Sequence, residues 1–153
     1  MIQFCEAAAG VLILDIISKL IVSGNMELGS EIALIPGIFD LSYVQNTGAA
    51  WGLLAGKQTL LQIFTALLMI GLAYYAISHR KKLSKLEMLS LGLVLGGGLG
   101  NFLSRVVSGY VVDFINIHVI PVFNVADMGI TIGCFLLVYS TLLAARREDE
   151  DEL

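Results

Sequence analysis

Two aspartates stand inside apolar runs in the second half of the sequence. Asp113 lies in Val111-Val-Asp-Phe-Ile115, and Asp127 closes Phe123-Asn-Val-Ala-Asp127. Two carboxyl groups held close together cannot both ionise easily, so they share one proton over a useful pH range. One then acts as general base on water and the other as general acid toward a carbonyl oxygen, which hydrolyses a peptide bond without a covalent intermediate. Taken alone, the two acids fit equally well as a loop residue and a residue at a helix N-terminus.

The composition indicates a protein that is solvated by lipid. The 153 residues are 57% hydrophobic and 14% charged, whereas an average soluble domain has about 25% charged residues. The net charge of −4 comes from an acidic run at residues 148–152, so we expect no basic surface for nucleic acid. Residues 1–147 are expected to form one integral membrane domain, and residues 148–153 a disordered, acidic cytoplasmic tail.

Four apolar segments are long enough to cross a hydrocarbon core of about 30 Å. We predict spanning helices at about residues 7–23, 58–77, 88–107 and 126–145. Polar and apolar residues alternate at 39–44, and residues 109–123 are mostly β-branched and aromatic, so a small sheet is expected outside the membrane. The predicted fold class is an all-α membrane protein, a four-helix bundle with this small sheet.

The basic residues indicate the orientation. They cluster at residues 80–85, between the second and third spans, and at residues 146–147, after the fourth. By the positive-inside rule both clusters are cytoplasmic. Both termini are then inside, and segments 24–57 and 108–125 face the exterior. This topology collects scattered polar residues in one layer near the outer face: Lys19, Asn46, Asn101, Arg105, Asp113 and Asp127.

Other residues that could do chemistry have structural interpretations. Asp15 and Lys19 share a helix face and can neutralise each other, so the pair serves packing or supports the neighbouring site. The glycines at 92–100 favour close helix contact, not phosphate binding. Cys5 and Cys134 are expected to be buried small hydrophobes. The histidines have no partner at ligand spacing, so we expect no metal site.

Four sequence blocks lie between about residues 14 and 133. They are Asp15-Ile-Ile-Ser-Lys19; Asn46-Thr-Gly-Ala-Ala-Trp51; Gly97-Gly-Leu-Gly-Asn101 with Arg105, Gly109 and Val112-Asp-Phe-Ile115; and Phe123-Asn-Val-Ala-Asp127. In this order the blocks resemble the motifs of the lipoprotein signal peptidase (signal peptidase II) family. The family usually has an aspartate before the arginine of the third block, where this chain has Ser104. A small polar residue often follows the last aspartate, where this chain has Met128.

The resemblance implies a multi-pass aspartyl endopeptidase of the bacterial inner membrane, with an external β-cradle and a mobile external segment over the site. It implies cleavage of a prolipoprotein signal peptide just before a diacylglyceryl-modified cysteine, with no metal or organic cofactor. The expected partners are this substrate and membrane lipid, with no nucleic acid, and we expect a monomer. The alternatives are a small membrane transporter or non-enzymatic binding module with a polar pathway, and an inactive homologue. The implied site comprises the catalytic pair Asp113 and Asp127, and the binding or supporting residues Asn46, Gly97, Asn101, Arg105, Asn124, Asp15 and Lys19.

Overall fold

The computed structural model describes residues 1–48 and 57–151. Its order of elements confirms the prediction of a mostly helical protein with a small sheet. The last part of the Asn46–Trp51 block lies outside the described residues. The elements are α1 (Ile2–Asn25), β1 (Glu31–Ile35), β2 (Phe39–Asn46), α2 (Gln58–Ser78), α3 (Lys85–Ser108), β3 (Val111–Asn116) and α4 (Val125–Asp151).

Three helices in the described part of the chain are long and apolar enough to cross a membrane. They are Thr59–Ser78, Lys85–Ser108 and Val125–Leu143, which match the second, third and fourth predicted spans. The first predicted span falls in α1, which has 24 residues. The expected burial of Cys5 and Cys134 is wrong, because both lie on outward faces of α1 and α4 and are exposed.

Helix α3 is the centre of the helix packing and contacts α1, α2 and α4. Its glycines make this possible. A Cβ atom at Gly92 or Gly96 would overlap the backbone of α1, and one at Gly97 would overlap the carbonyl oxygen of Ala126 in α4. The prediction of close helix contact through small residues is therefore confirmed.

Two helix ends differ from the prediction for local reasons. Helix α3 begins at Lys85 instead of Met88, because Ser84 and Glu87 form a capping box that satisfies the first backbone N–H groups. Helix α4 continues to Asp151 instead of giving way to a disordered tail. The sequence from residue 144 to 151 holds only alanine and charged residues, with no glycine or proline to stop a helix.

The sheet is antiparallel, in the order β1-β2-β3, and it joins the ends of three helices. The turn that follows α1 is bonded to β2, because the Gly29 N–H donates to the Tyr43 carbonyl at 2.9 Å. Strand β3 follows α3 after a turn at Gly109, whose φ of 77° is in the left-handed region. The Ile115 N–H donates to the Phe123 carbonyl at 2.8 Å, which places the start of α4 against β3.

Candidate active site

Both aspartates of the predicted pair open on one cavity of about 770 Å³, which is in the size range of small-ligand sites. The cavity lies where the sheet meets α3 and α4. Its wall combines polar side chains with apolar ones. The lining residues are Val44, Gln45, Asn46, Thr47, Gly48, Asn101, Arg105, Val111, Asp113, Ile120, Pro121, Val122, Phe123, Asp127, Ile130 and Thr131.

Asp113 lies in β3 and is buried, with 3% of its surface exposed. One carboxylate oxygen accepts a hydrogen bond from the Asn46 amide at 2.8 Å, and the other accepts from the Asn124 amide at 2.6 Å. Burial raises the pKa of Asp113 to about 6, and the nearby charge of Asp127 acts in the same direction against the two amide donors. The protonated form of Asp113 is therefore accessible near neutral pH.

Asp127 lies in the first turn of α4, and its position follows from the capping of that helix. The Asn124 side-chain oxygen accepts from the Asp127 N–H at 3.0 Å, and one Asp127 carboxylate oxygen accepts from the Asn124 N–H at 3.2 Å. This reciprocal pair is the geometry of a capping box. The other Asp127 oxygen accepts from the Asn101 amide at 2.8 Å, which aims the carboxylate at α3 and the cavity.

Asn124 connects the two aspartates through one fully buried side chain. Its amide nitrogen donates to Asp113 and, at 3.2 Å, to the side-chain oxygen of Asn101. Its oxygen is already engaged by the backbone N–H of Asp127. The contacts of its nitrogen and its oxygen together determine the orientation of the Asn124 amide group. The carboxyl groups of Asp113 in β3 and Asp127 in α4 therefore belong to one hydrogen-bond network.

Lys19 supports this network from α1. Its ammonium group donates to Asp15 at 2.7 Å, to the Asn101 side-chain oxygen at 2.9 Å and to the Ser104 hydroxyl at 3.2 Å. Asp15 in turn accepts from the Ala126 N–H at 2.9 Å. The buried ion pair therefore contacts both the start of α4 and the side chain of Asn101.

Arg105 approaches the cavity from the end of α3. Its guanidinium donates to the carbonyl oxygens of Asn101 at 3.3 Å and Gly48 at 2.9 Å. The Nε atom is buried and has no hydrogen-bond partner among the described residues. The hydroxyl of the preceding residue, Ser104, accepts from Lys19 and donates to the Gly100 carbonyl at 2.9 Å.

The structure brings together all but one of the site residues predicted from sequence. Asn46, Asn101, Arg105 and the two aspartates line the cavity, whereas Asn124, Asp15 and Lys19 lie behind it. Gly97 packs against α4 and does not line the cavity.

The apolar wall formed by residues 120–123 and Ile130 was not predicted, since apolar residues carry no distinguishing signal in so apolar a chain. Within residues 1–48 and 57–151, no group of three or more potential metal ligands exists.

Known proteins match this chain in sequence and in structure. The family model described as signal peptidase (SPase) II matches residues 7–143. The lipoprotein signal peptidase of Bacillus subtilis (strain 168) is 39% identical over 142 residues, which cover 90% of this chain and 92% of that protein.

Two solved structures, each described as a bacterial membrane enzyme, have the same fold. One is 35% identical with a TM-score of 0.84, over 91% of this chain and 87% of the other. The second is 36% identical with a TM-score of 0.79, over 89% and 90% of the two chains. On the extent of these matches, the chain belongs to the signal peptidase II family.

Proposed function

We propose that this protein is an intramembrane aspartyl endopeptidase that removes the signal peptide from prolipoproteins, cleaving just before a diacylglyceryl-modified cysteine. The observation that carries the proposal is the pairing of Asp113 with Asp127. The two carboxyl groups come from different elements, open on one cavity and share Asn124. Membership of the signal peptidase II family supports the substrate class.

In the proposed reaction the two carboxyl groups exchange roles. Asp127, whose carboxylate oxygens accept from the Asn101 amide and the Asn124 N–H, is the general base of the first step. It takes a proton from water, whose oxygen attacks the scissile carbonyl carbon. Asp113 gives its proton to the carbonyl oxygen. On collapse Asp113 recovers a proton from that oxygen, and Asp127 protonates the departing nitrogen as the C–N bond breaks.

The amide and cationic side chains position the pair and the substrate. Asn46 and Asn124 hold both oxygens of Asp113, and Asn101 holds Asp127. The buried Arg105 Nε group, which lacks a partner among the described residues, is available to donate to a backbone carbonyl of the bound signal peptide. No metal or organic cofactor takes part in the proposed reaction.

The membrane arrangement follows from the helices and from the positions of the basic residues. We propose that α1 is a fourth span beside the three apolar helices, with both termini in the cytoplasm. Large aliphatic side chains such as Leu14, Leu20 and Ile21 on α1 are exposed, which suits a lipid-facing helix. The active site then lies near the outer face of the bacterial inner membrane, where a lipidated substrate can enter laterally.

The central test replaces each catalytic aspartate by its neutral isostere. Because a positioned acid or base contributes about 10²–10⁴-fold to rate, Asp113→Asn and Asp127→Asn should each lower cleavage of a lipidated precursor by at least about 10²-fold. Asp40→Asn is the matched control, since Asp40 is also a sheet carboxylate but does not line the cavity.

The assay would use purified protein in lipid nanodiscs, with circular dichroism to show that each variant keeps its helices. Cleavage by a folded Asp127→Asn or Asp113→Asn variant at close to the native rate would reject the dyad. Loss of cleavage in all three variants would also count against it, because the effect would not be specific to the pair.

A further inference from the structure

The hairpin formed by β1 and β2 has an apolar tip. Residues 32–39, here called the hairpin tip, read Ile-Ala-Leu-Ile-Pro-Gly-Ile-Phe without a charged residue. Its large aliphatic side chains are exposed, Ile32 by 50%, Leu34 by 53% and Ile38 by 63%. A contiguous apolar patch of this kind marks a contact with another molecule or with a membrane.

Two apolar helices determine how the sheet lies relative to the membrane. β3 begins at Val111, just after α3, and Val111 pairs with Asn46. The segment before α4 pairs with Ile115, which is opposite Leu41. Asn46 and Leu41 are separated by roughly 16 Å of strand. Because α3 and α4 leave the same membrane face, strands that join their ends over this distance run along the surface.

The hairpin tip lies beyond the α4 end of the sheet. Ile35 pairs with Phe39, further along β2 than Leu41 and away from Asn46. A sheet that lies along the surface therefore extends its tip past the helices, over the surrounding lipid. Apolar side chains at the helix ends on this face are also exposed, Ile21 by 59% and Val107 by 81%.

We propose that the hairpin tip inserts its aliphatic side chains into the adjacent lipid leaflet and holds the sheet that bears Asp113 against the bilayer. Segment 24–56 holds no lysine or arginine, but it does hold Glu27, Glu31 and Asp40. The contact is therefore apolar and does not depend on anionic headgroups. This anchoring goes beyond the proposed activity and does not depend on it.

The test measures the depth of one tip residue. In a Cys5→Ala, Cys134→Ala background, Ile38→Cys carries a small environment-sensitive fluorophore, and the protein is reconstituted in phosphatidylcholine vesicles. Glu27→Cys with the same label is the matched control, because Glu27 is exposed and charged on the same side. We expect iodide to quench the label at 38 several-fold less than the label at 27. Nitroxide lipids spin-labelled high in the acyl chain should quench the label at 38 more strongly.

Two results would overturn the proposal. Equal iodide quenching at positions 38 and 27 would place the tip in water. Shielding of position 38 that disappears as the protein is diluted with lipid would show that a second copy of the chain covers the tip. Shielding that persists on dilution, and that is unchanged when phosphatidylglycerol is added, is the expected result.

Discussion

Asp113 couples protonation to folding at the scale of a single residue. Its pKa is about 6 in the folded protein against an ordinary value of 3.8, chiefly because burial disfavours the ionised form. The folded state therefore binds this proton more tightly than the unfolded chain. The stability that this provides is complete below pH 3.8 and is lost as the pH rises through about 6.

Asp113→Asn should remove this pH dependence. We expect the unfolding free energy of the variant, minus that of the native chain, to increase by up to about 3 kcal/mol from pH 3.5 to pH 8, as the shift of about two pKa units requires. Chemical denaturation in detergent micelles at each pH would measure it. For Asp113→Ala, the difference in unfolding free energy from the native chain should rise with pH by the same amount, but from a different starting value. A difference that does not vary with pH would contradict the prediction.

Lys19 and Asp15 form an ion pair in which both charges are buried. Lys19→Met leaves the carboxylate of Asp15 without its partner at 2.7 Å, and we expect a loss of about 3–5 kcal/mol in unfolding free energy. Adding Asp15→Asn removes the unpaired charge and keeps an oxygen for the Ala126 N–H. The double variant should therefore recover most of the stability in the same denaturation assay.

The cleavage assay separates the contribution of Lys19 and Asp15 to stability from the contribution of Lys19 to positioning Asn101. The Lys19→Met, Asp15→Asn double variant still lacks the donor to the Asn101 side chain, so its cleavage rate should stay low even where its stability recovers. A double variant that is no more stable than Lys19→Met would show that the unpaired charge is not the source of the loss.

At the scale of elements, close packing between α3 and α4 sets the position of Asp127. A Cβ atom at Gly97 would collide with the Ala126 carbonyl and the Ile130 side chain. We expect Gly97→Ala to lower the unfolding free energy by about 1–3 kcal/mol, as overpacking does, and to lower cleavage by displacing the first turn of α4. Thermal unfolding and the precursor assay would measure these effects.

Gly71→Ala is the matched control in α2. It makes the same chemical change in a helix, but a Cβ atom at Gly71 would meet nothing within 4 Å. It should be neutral or stabilise by up to about 1 kcal/mol, the difference in helix propensity. Equal effects of the two substitutions would refute the role of the α3–α4 contact.

The elements themselves were largely predictable from the sequence, because each has a local cause. Apolar length predicts α2, α3 and α4, and β-branched residues predict β3. The helix ends were less predictable. The start of α3 depends on the capping box at Ser84, and the continuation of α4 to Asp151 depends on a stretch without glycine or proline.

The polar half of the site was predictable from the sequence, whereas its apolar half was not. Asn101 stands out because a polar residue in a lipid-embedded helix is costly and must meet partners, whereas Asn46 and Asp113 stand out through the motifs that contain them. The contacts of Asn124 with both aspartates required coordinates, because they depend on strand register and on helix capping together. Residues 120–123 line the cavity because of the path of the loop between β3 and α4, and no sequence periodicity specifies that path.

At the scale of the whole molecule, the proposed reaction requires that sheet and cavity face away from the cytoplasm. The basic residues at 80–85 and 146–147 favour a cytoplasmic location for the loop after α2 and for the end of α4. Reporter domains that are active on only one side of the membrane test this. A fusion after Lys82 or after Leu153 should be active in the cytoplasm, whereas an insertion at Gly37 in the hairpin should be active outside.

The decisive comparison is between Gly37 and the carboxyl terminus, because the proposed topology puts three spans, α2, α3 and α4, between them. A cytoplasmic reporter at both positions would mean that one of α2, α3 and α4 does not cross, and it would place the hairpin in the wrong compartment for exported lipoproteins. Replacing Arg80, Lys81 and Lys82 by glutamine should raise the fraction of molecules whose reporter after residue 82 is outside, since those charges keep the loop in the cytoplasm. Unchanged orientation would show that the helices alone determine the topology.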